Sequence, residues 1–303
     1  MIYTVTLNPA LDYHMYIDNL QLEEVSRAQS VSLNYGGKGI NVSALLTRLG
    51  IPNLALGFAA GITGRLFLKS LIRQGIPQDF ILLKEGTTRI NVKIHADAKD
   101  TDLNAPGPRI PRSAADTLIE RMRHLSLGDA LVLSGSMPSC LPVDFYGTLM
   151  QALPPRILTA IDAEGSSLRA TLPLHPFVIK PNLRELEELV GHSCPTQEAV
   201  HSAAQSLQAA GAQNVLVSMG AQGAFLLDAE GHTHLQAAPE GTVIQTVGCG
   251  DSMLAGFLSR WLEQQDYDDA LIFAVACGSA TAFSSHLAER DDIWNLYKML
   301  RQS

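Results

Sequence analysis

The chain has 303 residues, enough for one large α/β domain with a full core or for two modest domains sharing an interface. With 46% hydrophobic and 17% charged residues it fits a folded enzyme and excludes disordered or collagen-like chains. A net charge of −8 with no basic run argues against a nucleic-acid binder, whose affinity for the phosphate backbone comes from clustered Lys and Arg.

The N-terminal MIYTVTLNPALDY has no basic leader and soon turns polar, and no run approaches about eighteen uninterrupted apolar residues, so a cytoplasmic chain with no membrane contact is expected. Cys140, Cys194, Cys249 and Cys277 are scattered, without a CxxC pair or a His spacing suited to zinc, and read as buried thiols in a reducing compartment.

In chain order, strand-length apolar runs alternate with helical periods, the pattern of a largely parallel sheet covered on both faces. The first strand is expected over Ile2 to Leu7. A helix beginning near Gly39 turns Val42, Leu45, Leu46 and Leu49 inward and stops at Gly50. Leu54 to Ala60 is the next strand, followed by a helix with Phe67, Leu68, Leu71 and Ile72 on one face. Ala130 to Leu133, Ile157 to Ile161 and Phe177 to Ile179 are short apolar strands buried on both faces. Val215 to Ser218 and Ala224 to Leu227, split by Gly220 and Gly223, predict an antiparallel return at the sheet edge, and the remainder is helical.

Two segments break this rhythm. Tyr13 to Leu33 and Arg89 to Asp97 alternate as half-exposed strands do, as in Ile90, Val92 and Ile94. They are expected to pair into a small sheet, a lid or dimer surface spanning about residues 12–34 and 88–105 within a single domain of residues 1–303.

The sharpest chemical signal is Thr246-Val247-Gly248-Cys249-Gly250-Asp251-Ser252, directly before a helix with Met253, Leu254, Phe257, Leu258, Trp261 and Leu262 on one face. Glycines at a helix start leave its free N–H groups accessible, and with the helix dipole they make an anion site suited to phosphate. Asp251 sits in that turn, where backbone N–H groups are expected to keep it ionised, ready to take a proton from an attacking alcohol. The competing reading is a helix cap. The two commoner nucleotide motifs are absent: Met253 stands where a dinucleotide fold needs its third glycine, and the only Gly-Lys, at 37 and 38, precedes Gly39 rather than Ser or Thr.

A second glycine turn, Gly36-Gly37-Lys38-Gly39-Ile40-Asn41, also opens a helix. It offers close backbone approach, a cation at Lys38 and, at Asn41, an amide for sugar hydroxyls.

With these turns, TLNPALD, TRINVK (Thr88 to Lys93), SGSMP (Ser134 to Pro138), KPN (Lys180 to Asn182) and SMGAQG (Ser218 to Gly223), the sequence resembles, nearly end to end, the PfkB family of carbohydrate kinases with its ribokinase-like fold. It is most similar to the branch acting on phosphorylated ketohexoses. The resemblance implies ATP-dependent phosphorylation of a phosphoketohexose with Mg²⁺. Fructose 1-phosphate is the first acceptor to expect, with tagatose 6-phosphate or fructose 6-phosphate as the alternative and a non-catalytic sugar-phosphate sensor as a more remote one.

The same resemblance makes Asp251 the base and Gly248, Cys249 and Gly250 the anion hole. It gives Asp12, Gly37, Lys38 and Asn41 to the sugar, and Arg89, with Arg27, Lys38 and Ser136, to its phosphate. It gives Ser218, Gly220 and Gly223 to the nucleotide, Lys180 to its phosphates, and Asn182 and Glu185 to Mg²⁺, although Asn at a helix start with Glu three residues on is equally a capping box. Cys249 replaces the usual alanine and carries an expectation of sensitivity to oxidation or alkylation. Relatives activated by a monovalent cation often have an acid where Gln245 stands, so no potassium activation is implied. His14, His95 and His286 show no partner pattern suited to metal binding or nucleophilic catalysis and are read as structural.

Overall fold

The computed structural model describes residues 1–21, 23–96 and 99–302. Its strands in chain order are β1 (Ile2–Thr6), β2 (Ala10–Ile17), β3 (Ser30–Gly36), β4 (Asn53–Ala60), β5 (Gln78–Leu83), β6 (Arg89–Ala96) and β7 (Lys99–Leu103). Then follow β8 (Ala130–Ser134), β9 (Leu158–Asp162), β10 (Val178–Ile179), β11 (Asn214–Ser218), β12 (Ala224–Leu227) and β13 (Thr233–Gln236).

Among the described residues, nine strands form one sheet in the order β13-β12-β11-β10-β9-β8-β1-β4-β5, parallel from β5 to β11. The chain reverses at β12, and β13, not β12, is the edge, so the expected return lies one strand further in. The fold is ribokinase-like α/β.

Alternation along each strand divides the core in two. Leu131 and Leu133 of β8 face helices that include Arg112–Arg123 and Gln197–Ala209, whereas Ala130 and Val132 face Lys38–Leu49, Cys249–Gln264 and Tyr267–Ala282. Val42, Leu45, Leu46 and Leu49 are buried as the helical period requires. In the helix Gly61–Arg73, Phe67 and Leu71 are buried but Ile72 is 65% exposed, so it leaves the predicted face. The turn of the helix carries position 72 to solvent once 67 and 71 point inward.

The remaining strands pair as a second sheet in the order β3-β2-β6-β7. Asp97, the end of one expected strand, lies outside the described residues. Register puts Asp12 beside Asn34 and Asn91 on one face, and Tyr13 beside Leu33 and Val92 on the other. The second face is apolar, and its Val31, Leu33, Ile90 and Leu103 are exposed. No described helix is long and apolar enough to cross a membrane.

Candidate active site

Four neighbouring strands deliver side chains to one end of the large sheet. Thr6 closes β1, Ser134 closes β8, Asp162 closes β9, and Lys180 follows β10. The Gly135 N–H donates to Asp162 O at 3.0 Å, and the Lys180 N–H to Ile161 O at 3.0 Å, which fixes these strand ends against each other. The helices Lys38–Leu49 and Cys249–Gln264 begin over the same edge, capped by Gly37 (φ 135°) and Gly248 (φ 79°) without a side-chain cap. Those φ values are where glycine alone is unstrained, and the uncapped first turns keep N–H groups available to an anion.

Asp251 is the third residue of its helix and does not cap it, which removes the capping interpretation. Its carboxylate is 6% exposed and accepts from Asn41 Nδ2 at 2.7 Å, so the two glycine turns meet. Burial, then the neighbouring Asp162 charge, push its pKa up to about 7 against the opposing pull of Asn41, Lys180 and Lys38. The expectation of a carboxylate held ionised by backbone N–H groups is therefore corrected: a side-chain amide holds it, and its proton leaves near neutral pH.

Asp162, 1% exposed, was not singled out by the sequence. The only signal there is a lone acid ending an apolar run in LTAIDAEG. Its carboxylate receives Lys38 Nζ at 3.0 Å and Lys180 Nζ at 3.2 Å. Burial alone would raise its pKa, but the two ammonium groups overcome this and hold it below the usual carboxylate range. Lys38 Nζ also stands 3.7 Å from Glu164 Oε1 and 3.7 Å from Glu185 Oε1. Lys180 reaches the glycine-rich turn: a β-carbon on Gly250 would meet its Nζ at 3.0 Å.

On the small sheet, Asn91 Nδ2 donates to Asp12 Oδ1 at 2.8 Å while its Oδ1 accepts the Ala105 N–H at 3.3 Å. Asn91 is a second residue missed from sequence, hidden inside TRINVK. Arg89 lies at the start of the same strand, with Nε on Asn8 O at 3.2 Å and Nη1 on Ala105 O at 3.4 Å. Ser136 lines a cleft of about 340 Å³ with Gly135, Met137, Glu164 and Ser166. Arg27 is exposed in the β2–β3 connection. Among the described residues, Arg27 and Ser136 make no hydrogen bond or ion pair with the others.

Ser218 ends β11 and bridges to Asn182, and Gly220 has open space where a side chain would be. Gly223 is buried, its α-carbon against the backbone of Gln236 and Ala238. Asn182 and Glu185 form the capping box: Asn182 Oδ1 accepts the Glu185 N–H at 2.9 Å and Glu185 Oε2 the Asn182 N–H at 2.8 Å. Glu185 Oε1, which the cap does not use, faces the Lys38 ammonium at 3.7 Å. Among the described residues no three His, Cys or acidic side chains cluster to cage a metal. The one carboxylate oxygen that the cap leaves over still fits Mg²⁺, which keeps several waters and binds through one or two carboxylates plus substrate phosphates.

His14 Nδ1 and His95 Nε2 are 3.0 Å apart with stacked rings, and His95 Nδ1 meets Asp100 Oδ1 at 2.7 Å, cross-strand contacts within the small sheet. The expectations at the cysteines change. Cys140 is exposed and Cys249 only half-buried, so not every thiol is interior. Burial and the Asp251 charge push the Cys249 thiol up to about 11, which makes it a poor nucleophile rather than a sensitive one.

The family model described as pfkB family carbohydrate kinase matches residues 5–292. A 1-phosphofructokinase of Borreliella burgdorferi is 36% identical over 301 residues, covering 99% of this chain and 98% of that protein. A D-tagatose-1-phosphate kinase of Bacillus licheniformis is 36% identical over 292 residues, 95% of each chain. Phosphofructokinase-2 from Escherichia coli, solved in complex with fructose-6-phosphate, superposes with a TM-score of 0.91 at 29% identity over 99% of both chains.

Proposed function

The chain belongs to the pfkB family of carbohydrate kinases, and from that premise we propose that it moves the γ-phosphoryl of ATP to the 6-hydroxyl of fructose 1-phosphate, giving fructose 1,6-bisphosphate. The observation that carries the reading is Asp251, buried at an open helix start with Asn41 on its carboxylate and Lys180 against the adjoining Gly250. A base whose proton affinity lies near neutrality accepts an alcohol proton while an anion hole receives the phosphoryl group.

In this scheme Asp12, positioned by Asn91, and Asn41 orient the sugar hydroxyls. Arg89, Lys38, Arg27 and Ser136 take its phosphate, for which a planar guanidinium is well suited. Asp251 removes the acceptor proton as the oxygen attacks in line. The N–H groups of the Gly248, Cys249 and Gly250 turn, with Lys180, hold the charge spreading over the transferred group. Ser218, Gly220 and Gly223 line the nucleotide. Glu185 and Asn182 would hold Mg²⁺, which would supply further positive charge to the phosphates when bound.

The small sheet acts as a lid that excludes water, and its exposed apolar face, with Val31, Leu33, Ile90 and Leu103, fits a homodimer surface. The cytoplasm is the compartment this reading implies. Tagatose 1-phosphate, named for one relative, presents the same phosphate and free hydroxyl ends as fructose 1-phosphate. The fructose-6-phosphate complex of a structural neighbour supports 6-phosphofructokinase as the second reading.

An ATPase-coupled assay across fructose 1-phosphate, fructose 6-phosphate, tagatose 1-phosphate and tagatose 6-phosphate decides among these. The expected kcat/KM is highest for fructose 1-phosphate. A preference of about tenfold or more for a 6-phosphate would reverse the assignment, and binding without turnover would make the protein a sensor.

A further inference from the structure

Asp162 lies between two cations that reach it from opposite sides of the site. Lys38, 3.0 Å from Oδ1, opens the helix that also carries Asn41; Lys180, 3.2 Å from Oδ2, reaches over to Gly250. Asp162 is 1% exposed and Lys180 4% exposed, so the pair is taken almost wholly out of water. Burying such a group is costly, and an apolar replacement of similar volume is often as stable, which makes fold stability a weak reason for the carboxylate to be there. Its backbone is fixed as well, because the Gly135 N–H donates to Asp162 O and the Lys180 N–H to the adjoining Ile161 O.

We propose that Asp162 is a positioning residue for phosphoryl transfer, acting through Lys38 and Lys180 to hold one ammonium group at the acceptor turn and the other at the anion hole. This deepens the phosphosugar-kinase reading and rests on it. With both cations already ordered, incoming phosphates meet charges that need little rearrangement when the reaction begins.

A second consequence is electrostatic. The groups facing Asp251 are Asn41, Lys38, Lys180, Asp162 and the Cys249 thiol. Two ammonium groups alone would hold Asp251 ionised and leave it little affinity for a proton. The Asp162 charge offsets them and preserves the basicity that the step requires.

The test is Asp162→Asn, close to isosteric but uncharged, studied by ¹³C NMR titration of the Asp251 carboxyl in the ligand-free protein and by steady-state kinetics at saturating Mg²⁺. Asp251 should titrate at a pH lower by about one or more. The kcat should fall on the order of a hundredfold, with KM for both substrates unchanged or lower because a negative charge beside two anion sites has gone. An Asp251 titration that does not move, or a kcat at saturating Mg²⁺ equal to that of the wild type, overturns the proposal.

If the single variant does not fold, Asp162→Asn combined with Lys180→Gln removes one charge of each sign. Asp251 should then titrate within about half a pH unit of the wild type, and a displacement of about one or more defeats the argument. A wild type that turns over no phosphosugar refutes the kinase reading. A working wild type whose Asp251 ignores Asp162→Asn refutes this inference alone.

Discussion

Asn41 Nδ2 donates to Asp251 Oδ2 across 2.7 Å, so two glycine turns whose residues lie 210 positions apart are joined at one hydrogen bond. A donor to the ionised form favours it and lowers the pKa. Asn41→Leu should therefore move the acid limb of the kcat/KM profile to higher pH and reduce kcat/KM at pH 7 by about 10–100-fold, the worth of a hydrogen bond to a charge. An acid limb at its wild-type position would contradict this.

Asp251→Asn keeps the shape of the site and abolishes the base. Turnover should fall by about a hundredfold or more, while calorimetry shows ATP and phosphosugar binding much as in the wild type. Turnover near the wild-type rate would remove Asp251 from the role of base.

The same substitution should change stability with pH. Asp251 goes from an ordinary value of 3.8 to about 7 on folding, so the folded chain binds the proton more tightly than the unfolded one. Its contribution is fully present below 3.8 and is lost as the pH rises through about 7. At pH 8 the Asp251→Asn variant is expected to melt about 2–5 °C above the wild type, with the advantage gone at pH 4. Equal advantages at the two pH values would show that the buried charge is not its source.

His234 joins the edge strand β13 to the helix Tyr267–Ala282, with Nε2 2.9 Å from Asp228 Oδ2 and Nδ1 2.6 Å from Asp268 Oδ1. Burial would lower its pKa, but the two carboxylates outweigh burial and raise it. The stabilisation is present below the ordinary value of 6.5 and is lost as pH rises through the higher folded one. His234→Ala should thus lower the melting temperature most below pH 6.5 and least in alkali; a pH-independent difference would point to packing instead.

Alkylation separates the cysteines. A thiol raised to about 11 is almost wholly protonated at neutral pH, and the thiolate is the nucleophile, so Cys249 should resist iodoacetamide while exposed Cys140 is labelled. Peptide mapping after limited reaction at pH 7.5 gives the order, and early modification at Cys249 would contradict it.

The fold was legible where local pattern suffices. Apolar runs such as Ala130 to Leu133, and the inward residues of the helix Lys38–Leu49, appear where periodicity placed them. The two glycine turns were visible because their residue types announce their conformation.

What the sequence left hidden depends on strand order. Asp162 meets Lys38 and Lys180 only because β9 lies next to β10 and near β1 in the sheet, a neighbourhood set by crossovers rather than periodicity. The pairs Asn91–Asp12 and His95–His14 likewise require the alignment of β6 with β2. The ionisation of Asp251 escapes a local reading for a related reason: burial and a second carboxylate are contributed by distant segments, while the helix start is local.

In the small sheet Asp12 and Tyr13 are adjacent in sequence and face opposite ways, one toward Asn91 and the other beside Leu33. Under the proposed homodimer, a second subunit seated on the outer side would brace the strand that carries the sugar-binding side. Saturation curves for the sugar would then depend on how dilute the enzyme is in the cuvette, and rates gathered at nanomolar and micromolar protein would describe two differently braced catalysts.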